Sequence, residues 1–134
     1  MTQSFTAPVE AVFSVLADHN QLGSILGGPV KRIEDGTDDV NGTGSVRRIG
    51  LGPVGLDETV VEFVPNEKIV YRITRGGFPV RNHEGRLSFA RDGEGCTVQW
   101  AIDFDTTPAL IGGGVAKALE KAIGGGLKKL AARL

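Results

Sequence analysis

The spacing of apolar and polar positions changes twice along the chain, and the changes predict its elements. Residues 1–5 predict a short strand, and apolar side chains across residues 9–16 then recur at helical spacing. Pro8 stands where this helix begins, since its missing N–H costs nothing in the first turn. Residues 18–25 predict a second short helix, which ends before Pro29. The chain therefore opens with a strand and two small helices.

From Val30 onward the apolar positions alternate, which indicates strands. The predicted strands are Val30 to Glu34, Ser45 to Leu51, Glu58 to Val64, Lys68 to Arg75, Val80 to Ala90 and Cys96 to Asp105. Short connections that carry Gly or Pro-Asn join them, so each strand is expected to pair antiparallel with the next. The pattern predicts a meander.

After Pro108 the spacing becomes helical again and predicts one amphipathic C-terminal helix. Its apolar stripe consists of Val115, Leu119, Ala122, Gly126 and Leu130. Two Gly triplets, 112–114 and 124–126, cost about 1 kcal/mol per glycine relative to alanine inside a helix. They favour a kink or a close approach of the helix to the sheet, and the alternative is that they leave room for a ligand. Only this helix is long enough to cover a curved sheet, so the chain is expected to be one α+β domain, residues 1–134.

Composition limits which kinds of partner and which cellular compartment are expected for the protein. The 134 residues carry a formal net charge of -1, and the Lys and Arg residues are scattered, which argues against nucleic acid as a partner. No apolar run approaches the roughly 20 residues of a membrane span. The lone Cys96 cannot form an internal disulfide, and no export signal opens the chain, so a cytoplasmic protein is expected, as a monomer or homodimer.

Several short stretches carry a resemblance through their order and spacing. They are Ala7 to Phe13 followed by Leu16 to Asp18, Gly44 to Arg47, Glu58, Val70-Tyr71, and Cys96 to Trp100. Together they resemble the START-like, or SRPBCC, superfamily, which includes polyketide cyclase and dehydrase-like proteins and the birch pollen allergen fold. The resemblance covers nearly the whole chain, although the first strand is shorter than in fuller members. It implies a helix-grip fold with a hydrophobic cavity that holds lipids, sterols, polyketides, quinones or plant hormones.

Alternation along the strands predicts which side chains point inward. Arg47, Tyr71 and His83 are in phase with apolar residues of their own strands, and Trp100 lies on a face that lines either the core or the cavity. The predicted ligand-binding residues are Arg47, Ile49, Leu51, Tyr71, Ile73, His83, Trp100, Ile102, Val115, Leu119 and Ala122. Alternation does not decide the face of Glu58. Resemblance to the plant hormone receptors of the superfamily adds Glu58 to the set, but Lys31 is out of phase with their lysine, so no hormone receptor is inferred.

The chemistry of this polar set has two interpretations. Buried Arg47 and Glu58 are expected to pair, because an unpaired buried charge is costly, and the pair can be structural alone. Alternatively, Arg47 polarises a carbonyl or enolate oxygen while His83 or Glu58 moves a proton, as aldol cyclisation or dehydration requires. For His83 alone, hydrogen bonding to a ligand is favoured over proton transfer.

Other motifs do not indicate a cofactor or a metal. Gly50, Gly52 and Gly55 spell GxGxxG, but Pro53 interrupts the motif and a strand follows it, so a loop at the cavity mouth is expected instead of a dinucleotide site. Two His and one Cys lie far apart, without metal-ligand spacing. The leading hypothesis is a carrier or sensor of a small hydrophobic ligand. The alternatives are a polyketide cyclase or dehydratase-type enzyme and a protein-interaction module of the chaperone-activator type.

Overall fold

The computed structural model describes the backbone of residues 1–134 and every side chain except that of Val54. In chain order the elements are β1 Thr2–Phe5, α1 Val9–Ala17, α2 Gly23–Leu26, β2 Val30–Glu34, β3 Val46–Ile49, β4 Leu56–Val64, β5 Lys68–Arg75, β6 Val80–Asp92, β7 Gly95–Thr106 and α3 Gly112–Arg133. Short 3-10 turns occupy His19–Gln21, Gly52–Val54 and Ala109–Ile111. The predicted α+β helix-grip fold is confirmed.

One antiparallel sheet holds all seven strands in the order β1-β7-β6-β5-β4-β3-β2. Strands β2 to β7 form the predicted meander, because each pairs with the next along the chain. The N-terminal strand β1 pairs with β7, from Thr2 opposite Gln99 to Phe5 opposite Cys96. No helix in the described part of the chain is long and apolar enough to cross a membrane.

The C-terminal half of α3 completes the hydrophobic core. Ile123, Leu127 and Leu130 are fully buried and join one cluster with residues of α1, β6 and β7. Phe13 of α1 stands in the cluster with its ring edge-on to Phe89, at 4.9 Å between centroids. Such an edge-to-face arrangement adds about 0.5–1.5 kcal/mol beyond burial. The core therefore fills one end of the molecule and leaves the N-terminal half of α3 for other contacts.

At Gly126 the backbone of α3 lies very close to α2. A Cβ atom at Gly126 would lie 2.1 Å from the carbonyl oxygen of Ile25, which only a glycine avoids. The expected close approach is therefore present, but its partner is α2 and not the sheet. Gly124 and Gly125 have nothing within 4 Å of an added Cβ, so these two positions make no such contact.

Candidate functional site

A cavity of about 280 Å³ lies between the sheet and the N-terminal half of α3. All but four of its lining residues present apolar groups, and the four are Arg47, Glu58, Tyr71 and His83. The predicted residues that line it are Arg47, Ile49, Glu58, Tyr71, Ile73, His83, Ile102, Val115, Leu119 and Ala122. The structure therefore brings ten of the twelve predicted residues to one cavity, and their binding role remains a prediction.

Two of the predicted residues do not reach this cavity. Leu51 is 72% exposed, because β3 ends at Ile49 and Gly50, at a φ of 84°, turns the chain out of the strand. Trp100 is 1% exposed and belongs to the core, opposite Leu87 in the β6–β7 ladder. Its indole N–H donates to the Tyr71 hydroxyl at 2.8 Å, so Trp100 supports a cavity residue from behind.

Six further residues line the cavity without having been among the candidates. They are Leu26, Leu56, Gly77, Val80, Phe104 and Ile123. Two of them had a usable signal: Phe104 is in phase with Ile102, and Ile123 lies one helical turn beyond Leu119. Leu26 and Gly77 belong to a short helix and a turn, where neither period applies. Their position depends on how those segments fold back over the sheet.

Glu58 faces inward together with Val60 of the same strand, which belongs to the core. Its neighbour Asp57 points to the outer face and accepts hydrogen bonds from Arg48 and Arg75 at 2.8 Å each, which hold the pKa of Asp57 well below its usual range. The register with β5 shifts between Asp57 and Glu58, and again between Val60 and Glu62. The first shift leaves Thr74 of β5 as the extra residue, and the second leaves Val61 of β4, after which Phe63 packs against the core. Simple alternation along β4 therefore could not place Glu58.

Arg47 and Glu58 form the buried ion pair that the sequence led us to expect. They stand opposite each other on β3 and β4, and Arg47 Nε donates to Glu58 Oε1 at 2.8 Å. The side chains are only 4% and 8% exposed. The guanidinium carbon of Arg47 also lies 4.3 Å from the centre of the Tyr71 ring, a cation–π contact. The Arg47 guanidinium is thus held both by the Glu58 carboxylate and by the Tyr71 ring.

The Tyr71 ring packs over β6 at Gly85, where only a glycine leaves room for it. Tyr71 and Gly85 are directly opposite in the β5–β6 ladder, and a Cβ at Gly85 would lie 2.0 Å from the Tyr71 ring. Burial and the charge of Glu58 raise the pKa of the Tyr71 hydroxyl, against the opposing effect of Arg47. Tyr71 is therefore a neutral phenol that forms part of the cavity wall.

His19 is a buried member of this network that the sequence analysis missed. Arg47 can only donate, so His19 Nδ1, 3.4 Å from Arg47 Nη1, is the acceptor, and His19 Nε2–H donates to Ser45 Oγ at 2.8 Å. Burial first, then the charges of Arg47 and Arg32, lower the pKa of His19 to about 3. A neutral His19 therefore supports the Arg47 side chain from behind the cavity. In the sequence, only Ser45, two residues before Arg47 and therefore in phase with it, indicated that further polar groups lie beside Arg47.

Acidification is expected to destabilise the protein through His19. Below pH about 6.5 the unfolded chain binds a proton that native His19, with its pKa near 3, does not bind. Stability should therefore fall as the pH falls from about 6.5 toward 3, by up to about 1.4 kcal/mol per pH unit. Urea unfolding at pH 7, 6 and 5 measures this slope. His19→Gln should flatten it, and an unchanged slope in that variant would assign the effect to other groups.

His83 occupies the gap where β5 and β6 separate. The ladder between these strands ends at Tyr71 and Gly85, and the backbone N–H of Ile73 donates to His83 Nδ1 at 3.2 Å. Burial, followed by the charge of Arg47, lowers the pKa of His83 more than Glu58 raises it. The neutral ring must carry its proton on Nε2, since Nδ1 is an acceptor. His83 thus presents one N–H donor toward the cavity.

The Nε2 atom of His83 lies 3.7 Å from Glu58 Oε2, beyond hydrogen-bond range. Among the described residues, every fully buried side-chain N or O atom has a hydrogen-bond partner. Glu58 Oε2 and His83 Nε2 have no such partner, so neither atom is fully buried. Both therefore reach open space, and both residues line the cavity. At this point of the cavity wall one unused donor lies beside one unused acceptor; the Tyr71 hydroxyl, which accepts from Trp100, and Arg47 Nη2 are further donors of the cavity residues. No group of three or more His, Cys, Asp or Glu within the described residues is arranged to hold a metal ion.

The fold and the cavity define a helix-grip protein with a largely apolar pocket between the sheet and α3. The family model described as polyketide cyclase / dehydrase and lipid transport matches residues 1–134, and the chain belongs to this family. The resemblance noted from the sequence is thereby confirmed. Comparison with curated proteins finds no match to the sequence.

Solved structures share this fold at low sequence identity. A protein from Nitrosospira multiformis is 17% identical with a TM-score of 0.73, over 98% of this chain and 92% of that one. A protein from Thermobifida fusca is 24% identical with a TM-score of 0.69, over 98% and 85%. Norcoclaurine synthase from Thalictrum flavum, in complex with dopamine and hydroxybenzaldehyde, is 14% identical with a TM-score of 0.67, over 99% and 84%. These likenesses show the fold alone.

Proposed function

We propose that the protein binds a small lipophilic molecule in the cavity under α3, as a carrier or sensor. The observation that carries this proposal is the composition of the cavity wall, which is apolar except for the polar side chains of Arg47, Glu58, Tyr71 and His83. Ligand sites are typically of this kind, with a few polar groups that fix orientation on a hydrophobic surface. The family description, which names lipid transport beside polyketide cyclase and dehydrase, supports the same class of ligand.

The size of the cavity limits the ligand. Its volume of about 280 Å³ lies just below the range of roughly 300–1,000 Å³ that is typical of ligand pockets. This size favours a molecule of one or two rings over a sterol or a long polyketide chain. A net charge of -1 without clustered cations supports a small molecule over nucleic acid as the partner. The single free cysteine, Cys96, fits a reducing compartment, and we propose the cytoplasm as the location.

Binding is favoured over catalysis because the polar groups of the site are largely committed. Arg47 is paired with Glu58, and His83 Nδ1 accepts the Ile73 N–H, which leaves His83 poorly suited to take up a proton. Protonation would place a hydrogen on Nδ1 directly against that N–H. The enzyme of the cyclase or dehydratase type therefore remains the alternative, and turnover of a poly-β-ketone that His83→Ala abolishes would favour it.

Filling the cavity is expected to abolish binding of a neutral two-ring dye. Prodan should bind the wild-type protein with a Kd on the order of 10 μM or lower and show blue-shifted emission. Val115→Trp places a large side chain in the cavity wall, and we expect it to weaken prodan binding by about tenfold or more.

Ala118→Trp is the matched control, since Ala118 is an exposed residue of the same helix and does not line the cavity. It should retain wild-type affinity for prodan. Equal loss in both variants would place the dye outside the cavity. If the folded wild-type protein does not bind prodan or any other apolar probe of this size, the proposed function is wrong.

A further inference from the structure

We infer that the ligand of this cavity carries a hydroxyl group, of the phenol or enol type, that lies between Glu58 and His83. The inference rests on the proposed function and names the chemical class of its ligand. It follows from two neighbouring polar atoms of the cavity that make no hydrogen bond, Glu58 Oε2 and His83 Nε2, 3.7 Å apart.

The hydrogen-bonding character of each atom is fixed by its neighbours. Glu58 Oε1 is taken by Arg47 Nε, which leaves Oε2 as an acceptor only. His83 Nδ1 is taken by the Ile73 N–H, which leaves Nε2–H as a donor only. The site therefore requires a group that donates one hydrogen bond and accepts another.

The distance between the two atoms suits a single oxygen atom. At 3.7 Å they are too far apart to bond each other, yet one oxygen can lie about 2.8 Å from both. A hydroxyl in that place donates to Glu58 Oε2 and accepts from His83 Nε2–H. A hydrogen bond to a charged carboxylate is about twice as strong as a neutral one, and it favours an acidic hydroxyl such as a phenol or an enol.

Other polar groups fit only half of the site. A ketone accepts from His83 but brings a lone pair against the Glu58 carboxylate. An ammonium group donates to Glu58 but brings an N–H against that of His83. A carboxylate ligand meets the negative charge of Glu58, while Arg47 is already paired with Glu58. A plain hydrocarbon displaces water and leaves both atoms without a partner, which is costly for buried polar groups.

Three ligands of one ring system test the inference on the unmodified protein. The affinities of 2-naphthol, naphthalene and 2-naphthoate would be measured by displacement of prodan at pH 7. We expect 2-naphthol to bind about tenfold or more tightly than either of the others, as hydrogen bonds to a charged group predict.

His83→Phe keeps an aromatic ring and removes the Nε2–H donor. It should reduce the preference for 2-naphthol over naphthalene to about threefold or less. The readout is the ratio of the two affinities within each variant, so a general change of the cavity affects both ligands and cancels. If His83→Phe does not fold, the comparison of the three ligands on the wild-type protein still decides.

Each outcome separates the two proposals. Equal binding of 2-naphthol and naphthalene would overturn the hydroxyl inference and leave the binding function intact. Tightest binding of 2-naphthoate would also overturn it and would point to Arg47 as the anchor of an anion. A protein that binds none of the three ligands, nor prodan, would contradict the proposed function itself.

Discussion

Glu58→Leu is expected to lower the free energy of unfolding by about 3–5 kcal/mol, because it leaves the Arg47 guanidinium buried without its carboxylate. The pair stands at 2.8 Å with side chains only 4% and 8% exposed, so water cannot replace the lost partner fully. Arg47→Met should be destabilising for the same reason from the other side. Denaturant unfolding at pH 7, monitored by the single tryptophan, measures both changes.

The double variant Arg47→Met with Glu58→Leu separates pairing from other effects. Replacing a buried ion pair by apolar side chains of similar volume is often close to neutral, so the double variant should be less harmful than the sum of the singles. Glu84→Leu is the matched control, since Glu84 pairs with the exposed side chains of Arg72 and Arg86, and an exposed ion pair contributes about 1 kcal/mol or less. Strict additivity of Arg47→Met and Glu58→Leu would show that the pair is not coupled in solution.

Gly126→Ala is expected to destabilise the protein by about 3 kcal/mol or more, the upper range for overpacking in a core. The added methyl group would lie 2.1 Å from the Ile25 carbonyl oxygen, and a backbone atom cannot move away as a side chain can. Helix α3 must therefore separate from α2, which would also loosen the wall near Leu26. Thermal and denaturant unfolding measure the loss.

Gly125→Ala changes the adjacent residue of the same helix and should have the opposite sign. Nothing lies within 4 Å of a Cβ at Gly125, so the substitution gains helix propensity, up to about 1 kcal/mol, without a clash. A loss of stability in both variants would mean that the whole triplet needs glycine. A neutral Gly126→Ala would show that α2 and α3 are not in close contact in solution.

The elements of this protein could be predicted from its sequence because their signal is local. Strands β2 and β5 begin and end at the predicted residues, because turn residues bound them: Pro29 and Gly36 around β2, and Asn66 and Gly76 around β5. The inward direction of Arg47 and Tyr71 followed from the same alternation. His83 lies within the register shift of β6 between Arg81 and Glu84. It lines the cavity nevertheless, as its phase with Leu87 predicted.

Places where the chain leaves the regular period could not be predicted in this way. Leu51 is in phase with Arg47 in the sequence, but Gly50, with a positive φ, ends the strand before Leu51. Glu58 lies between two register shifts of the β4–β5 ladder, with Thr74 of β5 as the extra residue in one and Val61 of β4 in the other, and both depend on how the two strands pair. Only the resemblance to a known superfamily placed Glu58 correctly inside.

The sequence by itself determined the order of the elements, the helix-grip fold and most of the side chains that face the cavity, because periodicity is a property of neighbouring residues. Tertiary structure decided which groups remain free to bind. His19 behind Arg47, the Ile73 N–H that fixes the tautomer of His83, and Ile25 against Gly126 all join residues that are distant in sequence. Such contacts depend on the register of strands and the approach of helices. They leave His83 Nε2 and Glu58 Oε2 side by side without hydrogen-bond partners.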